Sequence, residues 1–372
     1  MSTSRGSRAP TLEDVAEAAG VSRALVSLVM RESPRVSVES RKRVSAAATK
    51  LGYRPNLMAR NLAARRTMTI GVLLNDLHNP WFAEVTDGIH EASERFGYQL
   101  ILASGRRSPV LESRALDTFL ASRVDGIIVA GCRLPASRLD AVAGEVAVVS
   151  VGRTLPRTRL GSVTTDDAFG ARLAVEHLHS LGHTLIAHID GGKGAGASPR
   201  RSGYLRTMRA IGLGATAHVV TGDFTEEAGA RGAERLFRGE TWPTAIFTAN
   251  DLSAVGAIDV VERCGLAIPD DVSIVGFDNT SLAALNHIGL TTIDQPRREM
   301  GVAAAAMLID AINDRGSLSD VVMSPSLVVR RTSARPAPTR RAVERVRQRS
   351  SVINAAPTAP ARSPSAAKTS RG

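Results

Sequence analysis

The chain has 372 residues and carries 47 Lys and Arg against 36 Asp and Glu, a formal net charge of +11 at pH 7. This length exceeds what one hydrophobic core accommodates and predicts two or three domains. The sequence has neither an apolar run long enough to cross a bilayer nor the hydrophobic stretch of a secretory signal, which excludes a membrane-spanning protein and predicts a cytoplasmic one.

The positive charge is concentrated at the two ends of the chain. Residues 1–66 hold 13 Lys and Arg against 5 Asp and Glu, and residues 331–372 hold 10 against 1, which leaves a net of −6 for residues 67–330. Because clustered positive charge attracts phosphate, we expect the N-terminal segment to contact nucleic acid and the mildly acidic middle of the chain not to do so.

After a disordered stretch of residues 1–10, capping residues and apolar positions predict three short helices within residues 11–55. In the first helix, Thr11 and Asp14 form a capping-box pattern. The residues that start or stop the helices are Thr11, Gly20, Ser22, Ser37 and Gly52. A small core is expected from Val26, Val29, Val44, Ala48 and Leu51.

The second of these helices has the character of a DNA-reading helix. It leaves Arg23, Ala24, Ser27 and Leu28 facing outward. In a helix-turn-helix unit, the second helix enters the major groove with its N-terminal residues at the base edges, and hydroxyl groups near its start suit phosphates. The alternative is a helical bundle with a solvated charged face, which would mix its signs more evenly than this segment does.

The N-terminal run resembles the LacI/GalR family of bacterial transcription regulators. The resemblance rests on VAEAAGVSRALVSLVM, then SPRVS, LGYRPN at residues 51–56 and ARNLA at residues 59–63, and it extends over residues 11–330. It implies that residues 56–63, in a linker of residues 56–67, become a hinge helix on operator DNA.

The same resemblance assigns Leu62 to a central C-G step of the minor groove, where an apolar side chain unstacks the step and kinks the duplex. The alternative is an ordinary linker leucine. The residues expected to contact DNA are Thr11, Ser22, Arg23, Ala24, Ser27, Leu28, Tyr53, Asn56, Ala59 and Leu62.

The reading helix departs from the family pattern. Many members carry Thr and Arg at the positions of Leu25 and Leu28, and Asn is common at the position of Arg31. An arginine grips guanine with two hydrogen bonds, whereas Leu28 offers only apolar contact, for instance to a thymine methyl. We therefore expect an operator that differs from the family standard, with Arg23 and Ala24 reading bases.

Residues 68–330 alternate short apolar runs with amphipathic stretches, and the order βαβαβ occurs twice. Continuous Ile, Leu and Val runs separated by helices predict parallel sheets buried on both faces. The expected strands are 69–75, 98–104, 126–130, 146–151, 162–165, 185–190, 218–221, 245–249, 273–277, 291–294 and 327–329. The resemblance implies an α/β fold: an all-α helix-turn-helix head and a type I periplasmic-binding-protein-like body of two doubly wound parallel-sheet lobes.

Ligands of such sheets bind at the carboxyl ends of the strands, in a cleft between the lobes. By resemblance the effector-binding candidates are His78, Trp81, Phe82, Asp166, Arg200, Phe224, Asn250, Asp278 and Gln295. Arg200, in SPRRSGY, offers fixed donors to hydroxyls or a carboxylate, and Phe224 suits a sugar ring face. Trp81 and Phe82 are equally explained as packing at a helix start, and Asn250 and Asp278 as helix caps.

Other features predict neither metal, cofactor nor catalysis. Cys132 and Cys264 are expected to be reduced, packed thiols. GGKGAG at residues 191–196 lacks the spacing of a phosphate-binding loop and predicts a mobile strand-to-helix turn. His179 and His183 belong to a structural segment rather than to a metal site. Since no acid–base pair or nucleophile arrangement is present, the chain is not expected to be an enzyme.

Residues 331–372 are rich in Ala, Pro, Ser and Arg and contain no aromatic residue. They are predicted to be a disordered basic tail, either attracting DNA non-specifically or serving as a solvated extension. A short helix within residues 342–353 would lack the leucine heptads of a tetramerising coiled coil.

Together these features predict a homodimeric repressor, associated with the nucleoid, that binds a pseudo-palindromic operator under allosteric control by a sugar or related metabolite. Ligand binding either releases DNA or, as in purine-responsive relatives, promotes binding. A solute-binding receptor would share the body but not the head. A sugar-processing enzyme would need an acid–base pair that this sequence lacks.

Overall fold

The computed structural model describes residues 10–30, 33–53, 66–155, 158–239 and 241–337. The chain divides into two compact units, Met1–Met68 and Thr69–Gly372. Several predicted positions, namely Arg31, Asn56, Ala59, Leu62 and the tail from residue 338, lie outside the described residues.

The first unit contains the three predicted helices, α1 (Leu12–Ala19), α2 (Arg23–Met30) and α3 (Val38–Leu51). Thr11 caps α1, because its hydroxyl accepts from the Asp14 backbone N–H while the Asp14 carboxylate accepts from the Thr11 N–H. Gly20 and Gly52 end α1 and α3 in the left-handed conformation that glycine adopts without strain. The predicted capping box and stops are therefore confirmed.

The core of the first unit differs from the prediction at one position. Val15, Val26 and Val44 are fully buried, but Leu51 is 38% exposed. Leu51 is the last residue of α3, and the turn that follows at Gly52 brings Tyr53 against the core instead. A single turn of backbone thus decides which of the two side chains closes the core.

The second unit is built from short strands that alternate with helices. The strands are β1 (Thr69–Leu74), β2 (Gln99–Ser104), β3 (Gly126–Ala130), β4 (Ala147–Val151), β5 (Gly161–Thr165), β6 (Ile186–Ile189), β7 (His218–Val220), β8 (Ala245–Thr248), β9 (Ser273–Asp278), β10 (Thr291–Asp294), β11 (Asp320–Met323) and β12 (Ser326–Val328). The helices are α4 (Pro80–Arg95), α5 (Pro109–Ala121), α6 (Ala136–Ala143), α7 (Asp167–Ser180), α8 (Ala197–Ala210), α9 (Glu226–Phe237), α10 (Asp251–Arg263) and α11 (Arg297–Ile312).

The strands form two six-stranded sheets, one in each lobe. Lobe 1 has the order β11-β5-β4-β3-β1-β2 with every pairing parallel, and lobe 2 has the order β12-β10-β9-β8-β6-β7 with only β12 antiparallel. The chain crosses between the lobes after β5, after β10 and after β11. The α/β fold class with two parallel-sheet lobes is confirmed.

Every predicted strand occurs, with ends shifted by one residue at most, but the sequence reading missed β11. That strand is short and alternately exposed, and its Val322 is 62% exposed. It lacks the continuous apolar run that marks a strand buried on both faces.

Glycines allow the returning helix α11 to pack closely on α4 in lobe 1. A Cβ placed on Gly88 would overlap the carbonyl oxygen of Arg298, and one on Gly301 would overlap that of Val85. The two helix backbones are thus nearly in contact, which fixes the second crossover firmly to the first lobe.

The body extends beyond Arg330, where the sequence reading placed the start of the tail. Thr332 is 3% exposed; its hydroxyl donates to the Ile274 carbonyl at 2.7 Å and accepts from the Thr291 N–H at 2.9 Å. The Ala334 carbonyl lies 2.9 Å from Nε2 of His183. Residues 331–337 therefore belong to lobe 2, because their polar groups satisfy buried partners there.

No helix in the described ranges is long and apolar enough to traverse a bilayer. The same part of the chain contains no cluster of His, Cys, Asp and Glu suited to a metal ion.

Candidate functional site

A cleft lies between the lobes, where strands of both sheets end. It encloses about 630 Å³, including its open mouth. Of the predicted effector residues, those that line it are Trp81, Phe82, Arg200, Phe224, Asp278 and Gln295.

The floor of the cleft is a charged network around Arg200, which is 5% exposed. Nε of Arg200 donates to Oδ1 of Asp167 at 2.8 Å, and Nη1 donates to the Ala249 carbonyl and lies 3.5 Å from Oδ1 of Asp278. The amide of Gln295 donates to the same Asp278 oxygen at 2.5 Å. The guanidinium carbon also lies 3.6 Å from the centre of the Phe277 ring. Arg200 is thus held rigidly on several sides.

Burial governs the protonation of the floor carboxylates. Desolvation raises the pKa of Asp278 to about 7, although the neighbouring Arg200 guanidinium opposes that rise. Desolvation raises the pKa of Asp167 as well, again against the effect of Arg200. Asp278 also adopts a φ of 112°, an uncommon conformation for a residue other than glycine, and such strain clusters at functional sites.

Aromatic side chains form the walls of the cleft. Trp81 and Phe82 make an edge-on contact with ring centres 4.9 Å apart. On the lobe 2 side, the Phe224 ring packs on Gly191 and Gly194, and a Cβ on Gly194 would lie 2.5 Å from the ring. The glycine-rich segment is therefore a turn, as predicted, and its missing side chains make room for Phe224.

Three buried polar atoms on the cleft lining make no hydrogen bond within the described part of the protein. They are Oδ1 of Asn75, Nε1 of Trp81 and Nε of Arg133. Buried polar groups normally have hydrogen-bond partners, so these three atoms are exceptions within side chains that line the cleft.

Arginines of lobe 1 and an aspartate of lobe 2 meet at the mouth of the cleft. Nη2 of Arg133 donates to Oδ1 of Asp223 at 2.7 Å, and Arg107 donates to the other carboxylate oxygen. Arg107 and Arg133 line the cleft, and Asp223 directly precedes Phe224.

The other predicted effector residues do not line the cleft. The His78 side chain is 95% exposed, with Nδ1 3.0 Å from Oδ1 of Asp76. Asp166 is exposed and caps α7 by accepting from the Phe169 N–H at 2.9 Å.

Asn250 is fully buried and has the helix-capping role that the sequence left as an alternative. Its side-chain oxygen accepts from the Ser253 N–H at 3.0 Å, and its amide donates to the Phe224 carbonyl at 3.2 Å. Asn250 therefore holds the backbone of Phe224 in place without lining the cleft itself. Asp278, by contrast, ends β9 and has no helix directly after it.

The sequence reading missed Asn75, Arg107, Arg133 and Asp167 as lining residues. Asn75 ends a predicted strand, and Arg107 and Arg133 follow predicted strands, so the rule that ligands bind at strand ends pointed to all three. Asp167 is the second of two adjacent aspartates, and α7 turns it inward while Asp166 faces solvent. The sequence does not distinguish those two orientations.

The residues predicted to read DNA differ in how exposed they are on the first unit. Arg23 and Ala24 are exposed at the start of α2, which Ser22 caps by accepting from the Leu25 N–H at 3.2 Å. Ser27 and Leu28 are half-buried, and Leu28 packs partly against the core. Leu28 was predicted to face outward, but its position on the flank of α2 turns it partly toward the core.

A helical head joined to a two-lobed body with a polar and aromatic cleft is the architecture of a ligand-responsive DNA-binding regulator. Residues 11–56 match the family described as bacterial regulatory proteins, lacI family, and residues 67–333 match periplasmic binding proteins and sugar binding domain of LacI family. Catabolite control protein A of Priestia megaterium is 32% identical over 329 residues, which cover 87% of this chain and 99% of that protein. The chain belongs to the LacI family.

Solved structures agree with this membership. The lac repressor dimer bound to operator and the anti-inducer ONPF has a TM-score of 0.79 and 29% identity, and the match covers 88% of this chain and 100% of that one. The transcriptional regulator CelR in complex with cellobiose has a TM-score of 0.65 and 31% identity, and the match covers 87% and 100%. The chain is a DNA-binding transcriptional regulator and not an enzyme.

Proposed function

We propose that this regulator is a repressor whose affinity for operator DNA is controlled by a small, uncharged, hydroxyl-rich molecule, a sugar or related metabolite, bound in the cleft. The observation that carries the proposal is the Arg200 network in a cleft that is also lined by aromatic side chains. The lac repressor, which binds operator DNA, and CelR, which binds cellobiose, support the same two partners here.

The charge balance of the cleft favours an uncharged ligand. Arg200 is already matched by Asp167 and Asp278, and the arginines at the mouth share Asp223. A charged ligand would therefore have to displace an existing partner. A hydroxyl group both donates and accepts, which suits a lining that carries guanidinium donors as well as carboxylate and amide acceptors, and aromatic walls suit the apolar face of a sugar ring.

On the DNA side, Arg23 and Ala24 are the proposed base readers, and the hydroxyls of Thr11, Ser22 and Ser27 are proposed to hold phosphates. Leu28, half-buried, contributes at most an edge contact to a thymine methyl. From the sequence, Tyr53, Asn56 and Ala59 are proposed to contact the duplex and Leu62 to enter the minor groove.

Two copies are proposed to bind a pseudo-palindromic operator, and the solved lac repressor, a dimer bound to operator, supports a dimer here. Since effector and operator binding are linked, each must alter the affinity of the other by the same factor. A regulator with this function acts on the chromosome, which places the protein in the cytoplasm with the nucleoid.

A ligand screen tests the effector half of the proposal. Neutral sugars, purines and nucleosides, and sugar phosphates are compared by thermal shift on the full chain. A neutral sugar at about 100 times its Kd should stabilise the fold by about 2.7 kcal/mol. The shift should be lost in Phe224→Ala, and Phe237→Ala, buried elsewhere in lobe 2, serves as the control for a destabilised fold. Stabilisation by sugar phosphates alone would contradict the uncharged class.

A gel shift with genomic fragments tests the DNA half. At low salt the full chain should form a sequence-specific complex that Leu62→Ala weakens far more than it weakens non-specific binding. Equal losses would contradict the wedge, and the absence of any specific complex would contradict the operator function.

A further inference from the structure

The mouth of the cleft holds the two lobes together through a set of ion pairs that we call the latch: Arg107, Arg133 and Asp223. Arg107 follows β2 and Arg133 follows β3, both in lobe 1, whereas Asp223 follows β7 in lobe 2. The Asp223 carboxylate receives one guanidinium on each oxygen, so it is bound from two loops at once.

The latch is neither fully exposed nor sealed from water. The side chains are 29% exposed for Arg107, 18% for Arg133 and 33% for Asp223. Pairs at this depth are screened less than surface pairs, but they remain accessible to ions and to competing water. They are suited to a contact that must break and reform.

The loop that carries Arg107 is held in a strained conformation. Arg106 and Arg107 have φ values of 48° and 59°, the left-handed region that residues other than glycine avoid. The Arg107 N–H donates to the Asn75 carbonyl at 2.8 Å, which secures this turn at the cleft. Strain of this kind persists only where surrounding structure enforces it, and it concentrates at functional sites.

One buried carboxylate supports both arginine loops. Glu112 on α5 is fully buried and accepts from the Arg133 N–H at 2.9 Å and from Sγ of Cys132 at 3.3 Å. On its other side, a Cβ on Gly105 would overlap Cγ of Glu112, so the loop that leads to Arg107 lies directly over the same side chain. Arg153 braces the Arg133 loop further by donating to the Leu134 carbonyl at 2.7 Å.

We propose that the latch sets the balance between the closed and open cleft, and that Glu112 is the positioning residue that aims both of its arginines. Asp223 is covalently next to Phe224, so closure of the latch also seats the aromatic wall. The apparent affinity for a ligand that binds only the closed cleft falls in proportion to the fraction of molecules that are closed. The latch proposal rests on the proposed function of the cleft as an effector site. Its test needs no ligand, so failure of the latch proposal can be distinguished from failure of the proposed function.

Cleft opening can be measured through Trp81, which lines the cleft and is 7% exposed. The chain has two tryptophans, so Trp242→Phe in the full chain leaves Trp81 as the only indole. In that background, Asp223→Asn should raise the acrylamide quenching constant of Trp81 about twofold or more as the open population grows. The combined Arg107→Gln and Arg133→Gln variant should give the same rise, and adding Asp223→Asn to it should give no more.

A change in salt concentration and a matched control variant distinguish loss of the latch from a general loosening of the fold. Raising KCl from about 0.05 to about 0.5 M should raise quenching in the unmutated latch but not in Asp223→Asn. Asp117→Asn removes an arginine pair from the outer side of the same helix as Glu112, where Asp117 contacts Arg138 within lobe 1, and should leave quenching unchanged. Unchanged quenching in Asp223→Asn, or an equal rise in Asp117→Asn, would overturn the latch.

The positioning role of Glu112 has its own test. Glu112→Ala should raise Trp81 quenching and abolish its salt dependence, whereas Glu112→Gln, which keeps an oxygen for the Arg133 N–H, should largely preserve both. If the role of Glu112 were purely structural, Glu112→Ala would lower the melting temperature. Trp81 quenching in the molecules that remain folded, and its salt dependence, would then be unchanged. That result would overturn the role of Glu112.

Discussion

The floor and the mouth of the cleft both pair arginine with carboxylate, but they differ in burial and in what they join. At the floor, the side chains of Arg200, Asp167 and Asp278 are 6, 9 and 5% exposed and all belong to lobe 2. The latch at the mouth is 18 to 33% exposed and joins lobe 2 to lobe 1. The floor is therefore a permanent part of one lobe, whereas the latch is a contact that lobe motion makes and breaks.

This difference follows from the free energies of charge burial. A buried charge that loses its partner is left uncompensated at a cost of several kcal/mol, so the floor cannot open without unfolding its surroundings. A half-exposed charge that loses its partner is resolvated at a cost of about 1 kcal/mol or less. The same chemical pair is thus a fixed element at the floor, where we propose that it binds ligand, and a reversible one at the mouth.

The largest expected effect is the loss of stability when the floor of the cleft loses its arginine. Arg200→Met leaves Asp167 and Asp278 buried without their cation, and we expect the free energy of unfolding to fall by about 3–5 kcal/mol. Urea denaturation of the full chain measures this change. Arg263, also in lobe 2, is the matched control, because it and its partners Asp259 and Glu234 are 59, 59 and 41% exposed, so that Arg263→Met should cost about 1 kcal/mol or less. Equal losses would remove the distinction in burial on which the comparison depends.

The protonation of Asp278 should give the floor a pH dependence. Burial raises the pKa of Asp278 in the folded state to about 7, above its ordinary value of 3.8, so between these two pH values the folded state holds a proton that the unfolded state releases. Its contribution to stability is therefore fully present below pH 4 and is lost as pH rises toward 7, by up to about 1.4 kcal/mol per pH unit. Urea denaturation across pH 4 to 7 should show a steeper fall in the wild type than in Asp278→Asn, and parallel profiles would contradict the burial of this charge.

The sequence predicted the scaffold better than the cleft, for a physical reason. Parallel strands buried on both faces, such as β3 and β8, leave continuous apolar runs whose ends are visible in the sequence, whereas the half-exposed β11 does not. The order of strands also places the cleft at their carboxyl ends.

Which side chains turn into the cleft depends on packing that the local sequence does not encode. Asp166 and Asp167 are adjacent and chemically identical, yet only Asp167 meets Arg200. Arg107 and Arg133 lie 26 positions apart, and only the fold brings both to Asp223. Arg200 itself was predicted because its family motif is local.

Phe224 connects the floor to the mouth, and a glycine beneath it tests how tightly they are coupled. A Cβ at Gly194 would lie 2.5 Å from the Phe224 ring, so Gly194→Ala must displace the ring. We expect effector affinity, measured by titration of the sugar found in the thermal-shift screen, to fall about tenfold, or about 1.4 kcal/mol. Gly239→Ala is the control, because nothing lies within 4 Å of a Cβ there. Unchanged affinity in Gly194→Ala would show that Phe224 does not contact the ligand.

The smallest expected effect on stability is that of the latch, and the response to ionic strength distinguishes the latch from the floor most clearly. Asp223→Asn should lower the free energy of unfolding by about 1 kcal/mol or less at an ionic strength of about 0.05 M, because the latch charges are partly solvated. At about 0.5 M the variant and the wild type should converge, since screening already weakens the latch in the wild type. The deficit of Arg200→Met should persist at both ionic strengths, because mobile ions do not reach a side chain that is 6% exposed. Urea denaturation of the three proteins at the two salt concentrations measures both responses, and a floor deficit that vanished with salt would mean that the floor opens to solvent as readily as the mouth.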